Sequence, residues 1–272
     1  MEKIALAALL LFAGSSGAFC AGYDDLNAGI SYLNLGKYDD AIIWLDKAVA
    51  DGDLIPDHLR VAHLDRGFAY LGKRDGQKAL DSFTASIAAQ PDDLTAYHER
   101  IAIYLANNML EKAIADFTIM NRLRPHDYAT VMSMGRLNWY LDRPDESAAA
   151  FALFPQDYRA WLWLQLAHVR LGKPIDALDP AITAASPWPA PAMRFFHGDV
   201  SEADMLTAAA NSKDIGVCEG NLFAAMWRRV HDDPSGARPL FEAATNTCKQ
   251  ETNNWAAAKR QFDKLNAGAK AQ

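Results

Sequence analysis

Two stretches of this chain, 34 residues apart, carry the same residue types in the same order. Tyr70, Ala79, Phe83 and Ser86 precede Pro91, and Tyr104, Ala113, Phe117 and Met120 precede Pro125. Tyr32, Ala41, Leu45 and Ala48 make an earlier copy. A unit of this length has room for two helices and a turn, too little to bury an apolar face alone. Such units must stack on one another, and the stack needs a closing element at its end. Small residues mark where paired helices approach: Gly29, Gly67 and Gly135 in first helices, Ala41, Ala79 and Ala113 in second helices. The stretches Leu35-Gly36-Lys37, Leu71-Gly72-Lys73 and Ala106-Asn107-Asn108 read as the turns between them.

These features resemble the tetratricopeptide repeat (TPR), in unit length and in terminal proline. The resemblance implies an all-α fold, an α-α superhelix of antiparallel helical hairpins closed by a C-terminal capping helix. Composition agrees, because Ala and Leu are abundant beside sparse Val and Ile, a balance that favours helix over strand. Residues 22–185 are expected to form about five hairpins, clearest over 22–125. The fourth has Asn138 for the tyrosine and Ser147 for the alanine, and its second helix should stop early at Phe154-Pro155. The fifth runs from Tyr158 through the turn at Leu171-Gly172-Lys173, with a return helix expected through Ala177, Ala181 and Ala184. Residues 186–217 read as a Pro-rich linker with short helices, one over 192–197 and one capped by Ser201 and Asp204. Residues 218–267 read as a further hairpin and a capping helix that carries Trp255 and Phe262.

Residues 1–21 read as a secretory signal peptide: Lys3, an apolar run from Ile4 to Ala13, then small residues, with cleavage between Ala18 and Ala21. Phe19 before Cys20 argues against a lipid anchor, and neither this apolar run nor any later one is long enough for a transmembrane span. The expected location is therefore secreted or periplasmic. In such an oxidising compartment Cys218 and Cys248 are expected to pair. They stand at the two ends of one antiparallel hairpin, 30 residues apart, and a bond there would close its mouth.

Several functions find no support. The net charge of −7, without a run of Lys or Arg longer than two, argues against a nucleic-acid partner. His58, His63, His98, His126, His168, His197 and His231 include no pair four residues apart, so no metal motif is visible, and no phosphate-cradling loop or nucleophile elbow occurs either. No cofactor is expected. The pairs Asp24-Asp25, Asp39-Asp40, Asp92-Asp93 and Asp232-Asp233 fall at helix starts or turns, where acids act as caps. The chain reads as non-catalytic.

In this architecture the first helix of each hairpin lines a concave face. Register then picks out Leu26, Ile30, Leu64, Phe68, His98 and Ala102, followed by Met132, Arg136, Trp139 and Tyr140, and by Arg159, Leu162, Trp163 and Arg170. Aromatic and aliphatic side chains with arginines towards one end suit an apolar peptide or helix. On this reading, replacing Trp139 and Trp163 by alanine should abolish binding without unfolding the chain. Trp188, between Pro187 and Pro189, cannot sit inside a helix and reads as a plug or a protruding contact, the plug being favoured.

The order of repeat array, break and Phe195-Phe196-His197-Gly198-Asp199-Val200-Ser201 resembles bacterial envelope TPR proteins of the NlpI type. That resemblance implies an adaptor that brings cell-wall hydrolases and a periplasmic protease together. The alternatives are a structural or assembly component that self-associates through its end units, and an unrecognised enzyme or cell-wall ligand binder.

Overall fold

The computed structural model describes residues 21–179, 187–249 and 253–270, and every regular element among them is helical. The leader expected over 1–21 lies, except for its last residue, outside the described residues. The chain divides into two compact units at Pro125 and His126.

The first unit holds three hairpins, α1 (Ala21–Asn34) with α2 (Tyr38–Asp51), α3 (Pro56–Gly72) with α4 (Gly76–Ala89), and α5 (Leu94–Ala106) with α6 (Leu110–Leu123). Ala41, Ala79 and Ala113 are fully buried, as their place at the helix crossings requires. Gly67 is needed for the same reason: a Cβ there would stand 2.4 Å from the Phe83 ring. Leu26, Leu45 and Ala48 pack under the first hairpin, and Leu64, Phe83 and Ala96 under the second. Arg100 clamps the third hairpin through two hydrogen bonds to the buried Asp116, at 2.8 and 2.6 Å.

The second unit opens with α7 (Tyr128–Tyr140) and α8 (Pro144–Phe151), which ends early as the sequence suggests, and continues into α9 (Tyr158–Arg170). Two short helices follow, α10 (Ala190–His197) and α11 (Glu202–Ala210), the latter capped by the Ser201 hydroxyl accepting from the Asp204 N–H. The last elements are the hairpin α12 (Lys213–Val230) with α13 (Pro234–Thr247) and the helix α14 (Asn253–Lys270). One aromatic-rich core runs under all of these, built on Trp139, Phe151, Trp163, Phe196, Phe223 and Phe241.

The backbone repeats more faithfully than the side chains. At the turn of each hairpin a residue adopts positive φ, and the next N–H reaches back five residues to a carbonyl: Lys37 to Tyr32, Asp75 to Tyr70 and Met109 to Tyr104. Arg143 to Asn138, Lys173 to His168 and Asp233 to Arg228 repeat the bond where the tyrosine is gone. In the second turn the left-handed residue is Arg74, not Gly72. Gly72 is small for a packing reason, since a Cβ would meet the Tyr38 ring at 2.4 Å.

The fifth hairpin departs from expectation. No helix forms over 174–179, and Ala181 and Ala184 lie outside the described residues. Gln165 explains the extended path. It is fully buried on α9 at the position that Gly135 holds on α7, and a buried amide must find partners. It finds both in Asp176, donating to Oδ2 at 2.9 Å and accepting from the backbone N–H at 2.8 Å, which pins the segment along α9.

Cys218 and Cys248 are joined, with Cα atoms 4.7 Å apart. Cys218 sits inside α12 rather than at its start, because the helix begins at Lys213. Closing this loop should stabilise the second unit by about 3 kcal/mol. Thiol titration of the denatured, non-reduced protein is expected to detect neither cysteine, and reduction should lower the denaturation midpoint; titration of both would contradict the bond.

Candidate protein-binding surfaces

Each first helix of the repeats places one stripe in the core and an adjacent stripe at the surface, because side chains four residues apart share a face. In the first unit Leu26 and Leu64 are buried, 2% and 9% exposed, and belong to the packing between hairpins. Ile30 and Phe68 are half-buried, and His98 and Ala102 are exposed. Phe68 stands edge-on to Phe83 with ring centres 5.6 Å apart, so one face of it is fixed from below.

In the second unit Met132, Trp139, Leu162 and Trp163 are buried and cannot line a groove. The register places them towards the concave side, but the next first helix covers them. Trp163 stacks on Phe151 and meets Trp139 and Phe223 edge-on, with ring centres 5.7–6.1 Å apart. Arg170 seals Trp139 from above: its guanidinium lies 3.9 Å from the ring centre and bonds the Trp139 carbonyl at 3.2 Å and Asp142 at 2.8 Å. Half-buried Arg136, Tyr140, Arg159 and Arg170 remain at the surface. Burial pushes the Tyr140 hydroxyl up to about 12, which keeps it neutral.

The residue that sequence reasoning missed is Glu219. It is fully buried on α12 and accepts four partners from distant segments: Arg159 Nε at 2.7 Å, the Tyr158 hydroxyl at 3.2 Å, Trp188 Nε1 at 3.0 Å and Asn254 Nδ2 at 3.3 Å. Trp188 is therefore a plug, tied by its indole N–H to the helix below. The signal in the sequence is a lone acid beside the apolar run Leu222 to Met226, where a charge needs partners.

Two titratable groups of the first unit oppose each other. Burial raises the Asp65 carboxyl from 3.8 to about 6, so the folded chain keeps a proton that the unfolded chain releases, and stability falls as pH rises through that window. Burial, aided by Arg66, lowers His63 from 6.5 to about 4, so the unfolded chain takes up the extra proton and stability rises over nearly the same window. Asp65→Asn should raise stability at neutral pH by about 1 kcal/mol and leave a net rise with pH. Urea midpoints measured on either side of the window check this; an unchanged pH profile would contradict it.

One acid of each pair is engaged structurally: Asp93 and Asp233 accept from the N–H groups of Thr95 and Gly236, Asp25 pairs with Lys47 and Asp39 with Lys73. A cleft of about 590 Å³ in the first unit, at the starts of α3 and α5 and the end of α6, is crossed by the Arg60–Asp93 ion pair. Among the described residues no His, Cys, Asp and Glu side chains form a group able to hold a metal, and no helix is long and apolar enough to cross a membrane.

No protein-family model and no curated protein matches this chain. Among solved structures it is similar to a tetratricopeptide repeat protein from Parabacteroides merdae, at 13% identity, over 90% of this chain and 98% of that one, with a TM-score of 0.50. The fold is that of the TPR. The C-terminal part of a TPR repeat-containing protein from Cytophaga hutchinsonii gives 14% identity over 87% of each chain, with a TM-score of 0.49. YrrB, described as a TPR protein with an unusual peptide-binding site, gives 13% identity over 80% of this chain and 97% of its own, with a TM-score of 0.43.

Proposed function

We propose that this chain is an exported, non-catalytic adaptor that holds a protein or peptide against the first helices of its TPR hairpins. The carrying observation is what remains outside the core once packing is accounted for. Ile30, Phe68 and His98 in the first unit, and Arg136, Tyr140 and Arg159 in the second, stay wholly or partly accessible on first helices. Half-dry aromatic and arginine side chains on a rigid scaffold are the types that supply most interface energy. Engagement of the acid pairs in caps and ion pairs supports the non-catalytic reading. Export rests on the leader-like residues 1–21 and is supported by the disulfide, which persists in an oxidising compartment. The NlpI-type resemblance points to an envelope hydrolase or protease as the partner.

Affinity capture from an envelope extract should recover a specific protein, and His98→Ala or Arg136→Gln should reduce its recovery while leaving the melting curve close to that of the parent. Full recovery by both variants would reject the first-helix surfaces as the binding site.

A self-associating assembly component is the second reading, favoured by Leu35 and Ile43 on the first hairpin, which are 69% and 64% exposed. Light scattering over a range of concentrations separates the two, since a constant monomer mass excludes self-association.

A further inference from the structure

Half-buried arginines in this chain mostly have a carboxylate partner. Arg60 pairs with Asp93, Arg66 with Asp46, Arg159 with Glu219 and Arg170 with Asp142, all at 2.7–2.8 Å. Arg136 does not: its hydrogen bond is to the Ser133 hydroxyl, one turn back, at 3.3 Å. Arg229 also lacks a carboxylate, but it stands in the last turn of α12, where helix carbonyls favour a cation. Arg136 lies before the last turn of α7 and has no such compensation. Burial lowers its pKa, the charge of Arg159 lowers it further, and the phenols of Tyr140 and Tyr128 act the other way.

The surroundings say what would satisfy it. Arg136 shares a face of α7 with Tyr140, about 6 Å further along the axis, while Tyr128 starts the helix about 12 Å earlier and about 80° around it; the Tyr140 ring stands edge-on to Trp139 and Trp163, with the Arg260 guanidinium 5.4 Å from its centre. Arg159 on the neighbouring α9 spends its Nε on Glu219, keeps 37% of its side chain exposed, and stands close enough for its charge to act on Arg136. A cation between two aromatic rings, with a second guanidinium beside it, matches a carboxylate carried in the middle of an apolar stretch. A chain terminus would leave one of the two rings uncovered.

We propose that Arg136 recognises an aspartate or glutamate side chain inside the bound segment, flanked on both sides by apolar residues that cover Tyr128 and Tyr140. The inference rests on the reading of this surface as a protein-binding site and specifies its ligand.

The test is selection of a displayed random peptide library on the full chain and, in parallel, on Arg136→Gln, with Arg136→Lys as a charge-retaining control. The parent should enrich an interior acid between apolar residues, and Arg136→Gln should enrich the apolar pattern without it. Blocked synthetic peptides then give affinities by fluorescence anisotropy. Exchange of the acid for its amide should weaken binding to the parent about tenfold, and Arg136→Gln should lose about the same factor for the acid and little for the amide. Arg136→Lys should keep part of the preference. Apolar peptides without an acid, an acid preference that survives in Arg136→Gln, or a need for a free C-terminus would each overturn this inference while leaving the binding surface standing. Recovery of no peptide on any of the three proteins would overturn both.

Discussion

Replacing Trp163 with alanine is expected to destabilise the unit that begins at His126 by about 3–5 kcal/mol, measured as a lower urea midpoint by circular dichroism. The indole is 2% exposed and touches aromatic rings from three other helices, α7, α8 and α12, so its removal leaves a cavity that no single neighbour can fill. A loss below about 1 kcal/mol would show that the core is not organised around it. This corrects the expectation that Trp139 and Trp163 can be replaced together without unfolding. Loss of partner capture in that double variant would report collapse of the core, and the exposed His98 and the half-buried Arg136, which has no carboxylate partner, are the proper probes.

Glu219→Ala should cost a comparable amount, about 3–5 kcal/mol, for a different reason. Its carboxylate is fully buried and ties together the starts of α9 and α14 and the Trp188 plug. Without it the Tyr158 hydroxyl, the Trp188 indole and the Arg159 guanidinium lose their common acceptor. Glu219→Gln keeps the shape and one acceptor oxygen and should fall between parent and alanine. If alanine and parent unfold at the same urea concentration, the four hydrogen bonds contribute nothing net, and the account of the plug is wrong.

Much of the fold is legible because helix crossings tolerate few side chains. Ala79 with Phe83 and Ala113 with Phe117 stand at such crossings, and the period between them announces the hairpin. The disulfide is legible for a similar reason, since the two ends of one antiparallel hairpin must lie close. Other features depend on contacts that no local pattern encodes. The turn bonds at Asn138, His168 and Arg228 survive without the tyrosine because the backbone makes them. The extended path after α9 follows from one buried amide, Gln165, whose partner is Asp176. Helical register tells which way Trp139 and Trp163 face, but not how far the neighbouring first helix covers them. Glu219 gathers partners from residues 158 to 254, a set that sequence spacing does not reveal.

Site-specific photocrosslinking inside the producing cell tests the binding account most directly. A photoreactive phenylalanine analogue at His98 or Tyr140, on first helices, is compared with one at Ala115 or Ala149, exposed on the second helices α6 and α8. The account predicts an adduct with a distinct protein from His98 or Tyr140 and none from Ala115 or Ala149. Adducts only from the second-helix positions, or none from any of the four, would contradict it.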